Sequence, residues 1–154
     1  LWTSMSVLDN VIVPLELKSP DLGSAERRDR AMELLSWVDM QDAADKLPSD
    51  LSGGMKKRAG LARAIAGEPD FLFFDEPSAG LSPKMLHEVF EAIVQIRAKE
   101  GICILMVEQN AMEALRISER AYVLSMGTVA LSGVAVDLMH DPQVRELYLG
   151  GRAA

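Results

Sequence analysis

LSGGMKKRAGLARAIAGEPDFLFFDEPSAGLSP, residues 51–83, is the stretch whose reading decides the fold. It opens with Leu51-Ser52-Gly53-Gly54-Met55, a hydroxyl and two glycines at the start of a helical pattern. Unpaired backbone N–H groups and the positive end of the helix dipole favour an anion there, so the segment outlines a phosphate site. Ala59, Ala62, Ile65 and Ala66 then recur at helical spacing, predicting a buried face on a helix from about Gly53 to Ala66, and Gly67-Glu68-Pro69 stops it. Phe71-Leu72-Phe73-Phe74 is a short apolar run without helical period, which predicts a strand buried on both faces. Asp75-Glu76 stand where it ends. Carboxylates in such a place are costly unless they have partners or work. Pro77 to Pro83 is a connector into the next helix, with Ser82 as N-cap and Pro83 at the first helical position.

Outward from this centre the pattern is strand, helix, strand. Met85, Leu86, Val89, Phe90, Ile93 and Ile96 form one stripe of a helix ending near Gly101, and Ile102 to Val107 reads as a second buried strand, an α/β arrangement with a parallel sheet. Glu108-Gln109-Asn110 follow, and Asn110 with Glu113 spells a capping box for a helix from Ala111 to Ile117. Ala121 to Ser125 and Thr128 to Ser132 flank Met126-Gly127 as a hairpin, and two helical stretches follow, Val134 to Met139 and, behind Asp141-Pro142, Gln143 to Leu149. Arg152 to Ala154 are expected to fray. Before the centre, a helix is expected from Ser24, with Ala31, Leu34, Leu35 and Val38 inward. Residues 1–23, interrupted by Pro14, read as loose, with Trp2 and Met5 packed in the core. Lys56, Lys57 and Arg58 read as an exposed basic face. His87 lies off its helix's apolar stripe and is assigned no role.

The chain has 154 residues, 49% apolar and 25% charged, enough for one domain or two small subdomains with a core. Its formal net charge of −7 gives no long-range attraction to nucleic acid or anionic lipid, so no nucleic-acid partner is expected. Cys103, the single cysteine, lies in an apolar run and is expected to be a buried reduced thiol, which fits a reducing cytosol. No apolar run approaches the ~20 residues needed to span a bilayer, so any membrane role is expected to be peripheral.

These motifs, in this order and separated by one helix, resemble the ABC-type ATPases. Leu51-Ser52-Gly53-Gly54-Met55 is similar to their signature motif, Phe71 to Asp75 to the Walker B strand with Glu76 as the adjacent acid, and Ala79-Gly80-Leu81-Ser82 to the D-loop. The resemblance implies a partial P-loop NTPase fold, a RecA-like parallel sheet with an ABC helical subdomain. Its boundaries would be 1–66 for the helical subdomain, 67–133 for the C-terminal part of the ATPase core and 134–154 for a helical tail. No Gly-x-x-x-x-Gly-Lys-Ser/Thr phosphate loop occurs, and the chain opens at Leu1 in mid-pattern. It therefore reads as the C-terminal part of a longer polypeptide, and by itself it is expected not to hydrolyse ATP.

What the resemblance implies for residues is specific. Asp75 would orient Mg²⁺ through water and Glu76 would polarise the attacking water. Ser52, Gly53 and Gly54, with Leu51, would meet the γ-phosphate of ATP held by a second ATPase subunit in a head-to-tail dimer, and Ser82 would lie along the dimer seam. The family usually has aspartate at that last position, which puts a D-loop carboxylate contact in doubt. Gln109 falls where most members carry histidine. Its amide would still donate to the γ-phosphate but carries no proton or charge. The implied partners are the second subunit and transmembrane permeases, at the cytoplasmic face of the membrane. The tail, with Val107 to Ala111, Tyr122-Val123-Leu124 and Val144 to Gly150, resembles the ATPases of branched-chain amino-acid importers, whereas Ser6 to Val11 and Leu51 to Ala66 resemble those of Mla-type phospholipid transport. Other readings fit less well: a DNA-repair ATPase of the SMC type would need long heptads before Leu51, where residues 24–50 supply one ordinary helix, and a ribosome-associated ABC protein would need a different D-loop region and basic arms, neither of which is present. The chain by itself is expected to be an inert fragment.

Overall fold

The computed structural model describes residues 1–149. The expectation that Arg152 to Ala154 fray lies outside the described residues. By backbone contacts the chain divides into two compact units, Leu1–Val107 and Glu108–Ala154.

In the first unit, helices α1 (Val7–Lys18), α2 (Ser24–Trp37) and α3 (Gly53–Ile65) pack on one another, with strand β1 (Phe71–Asp75), helix α4 (Pro83–Glu100) and strand β2 (Cys103–Val107) following. Helix α1 overturns the expectation of a loose segment. A capping box holds its start: the Asp9 N–H donates to the Ser6 hydroxyl at 3.1 Å and the Ser6 N–H to the Asp9 carboxylate at 3.3 Å. Pro14 removes one helical hydrogen bond, and burial of Val7, Leu8, Val11 and Leu15 outweighs that loss. Asn10, buried on the same helix, accepts from the Trp2 N–H at 2.7 Å and donates to the carbonyls of Trp2, Met5 and Ser6 at 3.0, 3.2 and 2.9 Å. It thereby fastens the leading segment. Trp2 itself is 46% exposed, a correction to its expected place in the core, with Arg63 lying over its ring at 4.9 Å.

Ala31, Leu34, Leu35 and Val38 close against α1 and α3 as their spacing predicts. Helix α2 ends in a Schellman turn with Asp39 at φ 53° in the left-handed position, the Met40 N–H returning to the Leu35 carbonyl at 2.9 Å. Two 3-10 turns, Gln41–Ala43 and Pro48–Asp50, lead to α3. At the far end of α2, Trp37 stacks between Arg30 at 5.1 Å and Lys99 of α4 at 4.7 Å, and Arg30 also pairs with Glu100 at 3.1 Å. Burial alone would lower the Arg30 pKa, but its bonds to Glu33 and Glu100 outweigh this and raise it.

β1 and β2 pair in parallel, with Leu72 opposite Ile104 and Asp75 opposite Val107. Here the expectation of strands buried on both faces fails. Leu72, Phe74, Ile104 and Met106 turn inward, while Phe71, Phe73, Leu105 and Val107 alternate outward, Phe73 being 56% exposed. Cys103 shares that outward face and is exposed, so it is not the buried thiol its apolar neighbours suggest. An apolar run specifies a strand but not how many of its faces are covered.

The second unit contains α5 (Ala111–Ile117), the antiparallel pair β3 (Arg120–Ser125) and β4 (Thr128–Val134), α6 (Ala135–His140) and α7 (Pro142–Leu149). Met126 and Gly127, at φ 50° and 77°, close the expected hairpin in the backbone form that suits strand twist. Leu115, Val123, Ala135, Leu138 and Val144 make its core. Asp141 caps α7, accepting the Gln143 N–H at 2.8 Å.

Candidate functional site

Three of the expected site segments meet in the first unit around the start of α3. Ser52 caps this helix, its hydroxyl accepting the Met55 N–H at 3.3 Å. Leu51 is buried just ahead of it, and helix geometry leaves the Gly53 and Gly54 N–H groups without an intrahelical acceptor. The two glycines differ in what they allow. A Cβ on Gly54 would meet the Met85 side chain of α4 at 3.0 to 3.4 Å, so any larger residue there requires Met85 to give by a few tenths of an ångström. Gly53 is exposed, and a Cβ there would sit 3.6 Å from Leu81. Its backbone is thus open to an approaching phosphate from a helix end whose dipole favours one.

The acidic pair lies at the carboxyl edge of the parallel strands, where open α/β sheets present their ligand sites. Asp75 is exposed at the last position of β1, and Glu76 is half-buried with φ 47°. A non-glycine residue in that region costs ~1–3 kcal/mol and persists only where its surroundings hold it. The Glu76 N–H donates to the Val107 carbonyl at 2.8 Å, and its own carbonyl accepts from the Ala79 N–H at 3.1 Å. The same carbonyl accepts from Lys57 Nζ of α3 at 3.1 Å, and that ammonium also donates to the Ala79 carbonyl at 3.0 Å. Ser82 then caps α4, accepting the Met85 N–H at 3.5 Å.

Lys56, Lys57 and Arg58 are therefore not one exposed basic face. Lys56 alone fits that expectation. Arg58 is 9% exposed and donates to the Val38 and Asp39 carbonyls, both at 3.2 Å, and to the Asp39 carboxylate at 3.3 Å, with Glu88 of α4 at 3.5 Å. A cation at the carbonyl end of α2 also complements its dipole. Helical spacing held the missed signal: Lys57 is one turn beyond Gly53 and Arg58 one turn beyond Gly54, so each continues a face that the glycines bring against the loop before α4 or α4 itself.

Gln109 lies in the second unit, exposed, ahead of α5. The expected capping box at Asn110 does not form. The Glu108 carboxylate accepts the Gln109 and Asn110 N–H groups instead, at 3.0 and 3.2 Å, while Glu113 pairs with Arg116 at 2.6 Å. Glu108 thus accepts the Asn110 N–H that the spacing gave to Glu113, and Asn110 itself makes no side-chain cap.

Among the described residues no group of three or more His, Cys, Asp or Glu could hold a metal ion, and no described helix is long and apolar enough to cross a membrane. A lone exposed carboxylate such as Asp75 suits a cation that keeps most of its water and takes its other ligands from phosphate, as Mg²⁺ does.

Comparison with known proteins extends the likeness beyond these motifs. The family model described as ABC transporter matches residues 1–79 of the 154. The lipopolysaccharide export system ATP-binding protein LptB of Escherichia coli (strain K12) is 33% identical over 150 residues, 97% of this chain and 61% of that protein. The high-affinity branched-chain amino acid transport ATP-binding protein BraG of Pseudomonas aeruginosa is 37% identical over 123 residues, 80% of this chain and 52% of that protein. Among solved structures, the dimeric post-hydrolysis state of the ATP-binding cassette MJ0796 bound to ADP and Pi superposes with a TM-score of 0.75 at 28% identity, covering 88% of this chain and 59% of that one. The chain thus spans about three fifths of the length of the curated relatives it matches over nearly its whole extent.

Proposed function

The chain belongs to the ABC transporter family, and from that premise we propose that it forms part of an ATP-binding, ATP-hydrolysing subunit that energises transport. The observation that carries this reading is a juxtaposition. A serine-capped, glycine-opened helix reaches, through Lys57, the loop that carries an acidic residue off the end of a parallel strand.

Glu76 polarises the water that attacks the terminal phosphate of ATP. Phosphoryl transfer depends on positioning and charge more than on covalent chemistry, and a backbone held at both its N–H and its carbonyl supplies the positioning. Mg²⁺, held through water by Asp75, would neutralise phosphate charge. The Gly53 and Gly54 N–H groups and the Ser52 hydroxyl receive the γ-phosphate of a nucleotide bound by a second ATPase subunit, Leu51 fixing the backbone ahead of them and Ser82 lining the seam. Gln109 donates an amide hydrogen to a γ-phosphate, an amide having no proton to titrate. The dimeric MJ0796 cassette with ADP and Pi supports two such subunits, and the LptB and BraG names support permease partners. The absence of a membrane-crossing helix among the described residues is compatible with a peripheral subunit at the cytoplasmic face.

For the cargo, branched-chain amino acids are the first reading, supported by the Glu108-Gln109-Asn110 run and the likeness to BraG. Lipid transport, of the Mla type or of the lipopolysaccharide kind named for LptB, is the second, favoured by a match over 97% of the chain. The test of hydrolysis is steady-state turnover of Mg-ATP by the full-length protein against its Glu76→Gln variant. The variant should bind ATP and turn it over at least ~100-fold more slowly. Near wild-type turnover would remove Glu76 from this role.

A further inference from the structure

From the two carbonyls that its ammonium clasps, we propose that Lys57 is a positioning residue for hydrolysis, holding the Glu76 peptide against the helix that opens at Ser52. The inference rests on the ATPase reading above and adds to it a residue that no signature spacing singles out.

Glu76 sits at φ 47°, a conformation that a side-chain-bearing residue keeps only under constraint. Its N–H is fixed by Val107, at the end of the neighbouring strand. Its carbonyl has two donors, the Ala79 N–H that closes the turn and Lys57 Nζ that reaches across from α3. Lys57 also grips the turn's far side at the Ala79 carbonyl. A lysine ordinarily keeps its ammonium in water and its stem mobile. Ordering the stem costs up to ~2 kcal/mol of side-chain entropy, so a stem drawn half under the surface onto two backbone oxygens reflects bonds strong enough to hold it.

The consequence is geometric. Gly53 and Lys57 are one helical turn apart on α3, so the end of the helix offered to phosphate and the peptide bearing the hydrolytic carboxylate are tied through one rigid element. Without the ammonium, the Glu76 carbonyl keeps its turn bond and the strand keeps its ladder, so the chain stays folded. What is lost is one of the restraints on the Glu76 peptide and so on the placement of its carboxylate, and a misplacement of about 1 Å costs ~100-fold in a reaction of this kind.

The experiment compares full-length wild-type protein with Lys57→Met, Lys57→Arg and Glu76→Gln, measuring kcat and KM for Mg-ATP, affinity for a fluorescent ATP analogue, and the melting midpoint. Lys57→Met should lower kcat by about 10-fold or more while KM, analogue affinity and midpoint stay close to wild type, the pattern of an interaction that matters only in the transition state. Lys57→Arg, which keeps charged donors at that place, should recover most of the rate. Wild-type kcat in Lys57→Met, or a fall matched by equal losses of affinity or midpoint, would overturn the inference while leaving the ATPase reading intact, provided that Glu76→Gln is inactive in the same assay. A wild-type protein that fails to hydrolyse ATP would overturn the reading and the inference together.

Discussion

In the helices from Val7 to Ile65 the residues at helical spacing are closed off from solvent, Leu34, Leu35 and Val11 among them, whereas along β1 and β2 every second side chain faces out. Both regions carry apolar residues at regular spacing, yet only the first covers them with its own elements. The polar groups differ as well. In the helical region Asn10 and Arg58 are buried and spend their hydrogen bonds on backbone carbonyls that fix element ends. At the strand ends Asp75 and Glu76 are left partly open to solvent, with a strained backbone at Glu76. Buried surface is concentrated in one region and open carboxylates in the other, and Lys57 joins the two.

Truncations separate the regions most sharply. Leu34→Ala should cost about 2–5 kcal/mol, the loss expected for a fully buried leucine whose cavity cannot collapse, read as a fall in the urea midpoint. Arg58→Met should cost about 1–3 kcal/mol, because it leaves the Val38 and Asp39 carbonyls at the end of α2 without their donor. Its amide exchange should quicken at residues 35–40 before anywhere else. Phe73→Ala, although it deletes the largest side chain of the three, should shift the midpoint by less than about 1 kcal/mol in the chain as it stands, since the ring is already half in water. A Phe73 cost equal to that of Leu34 would erase the contrast.

Much of this was legible before any coordinates. The inward set Ala59, Ala62, Ile65 and Ala66 followed from a 3.6-residue period, and the hairpin at Met126-Gly127 from turn chemistry flanked by strand formers. Helix α1 was hidden by Pro14, although the Ser6-x-x-Asp9 box that starts it stood in plain view. Cys103 and Phe73 were misjudged because an apolar run specifies a strand and is silent on what covers each face. For the site, residue types and order marked Ser52, Gly53, Gly54, Asp75 and Glu76 as worth locating. Lys57 and Arg58 were missed for a physical reason: a helical pattern says which face a cation lies on, not which carbonyls the rest of the chain folds against it.

The central claim is that the α3 helix start and the Asp75-Glu76 strand end serve one nucleotide clamp shared between two subunits. It is tested most directly by sedimentation of the full-length Glu76→Gln protein with and without Mg-ATP, alone and combined with Ser52→Arg. The account predicts an ATP-dependent dimer for Glu76→Gln and a monomer that still binds ATP once Ser52 is replaced. A protein that stays monomeric while saturated with ATP, or a dimer indifferent to Ser52→Arg, would contradict it.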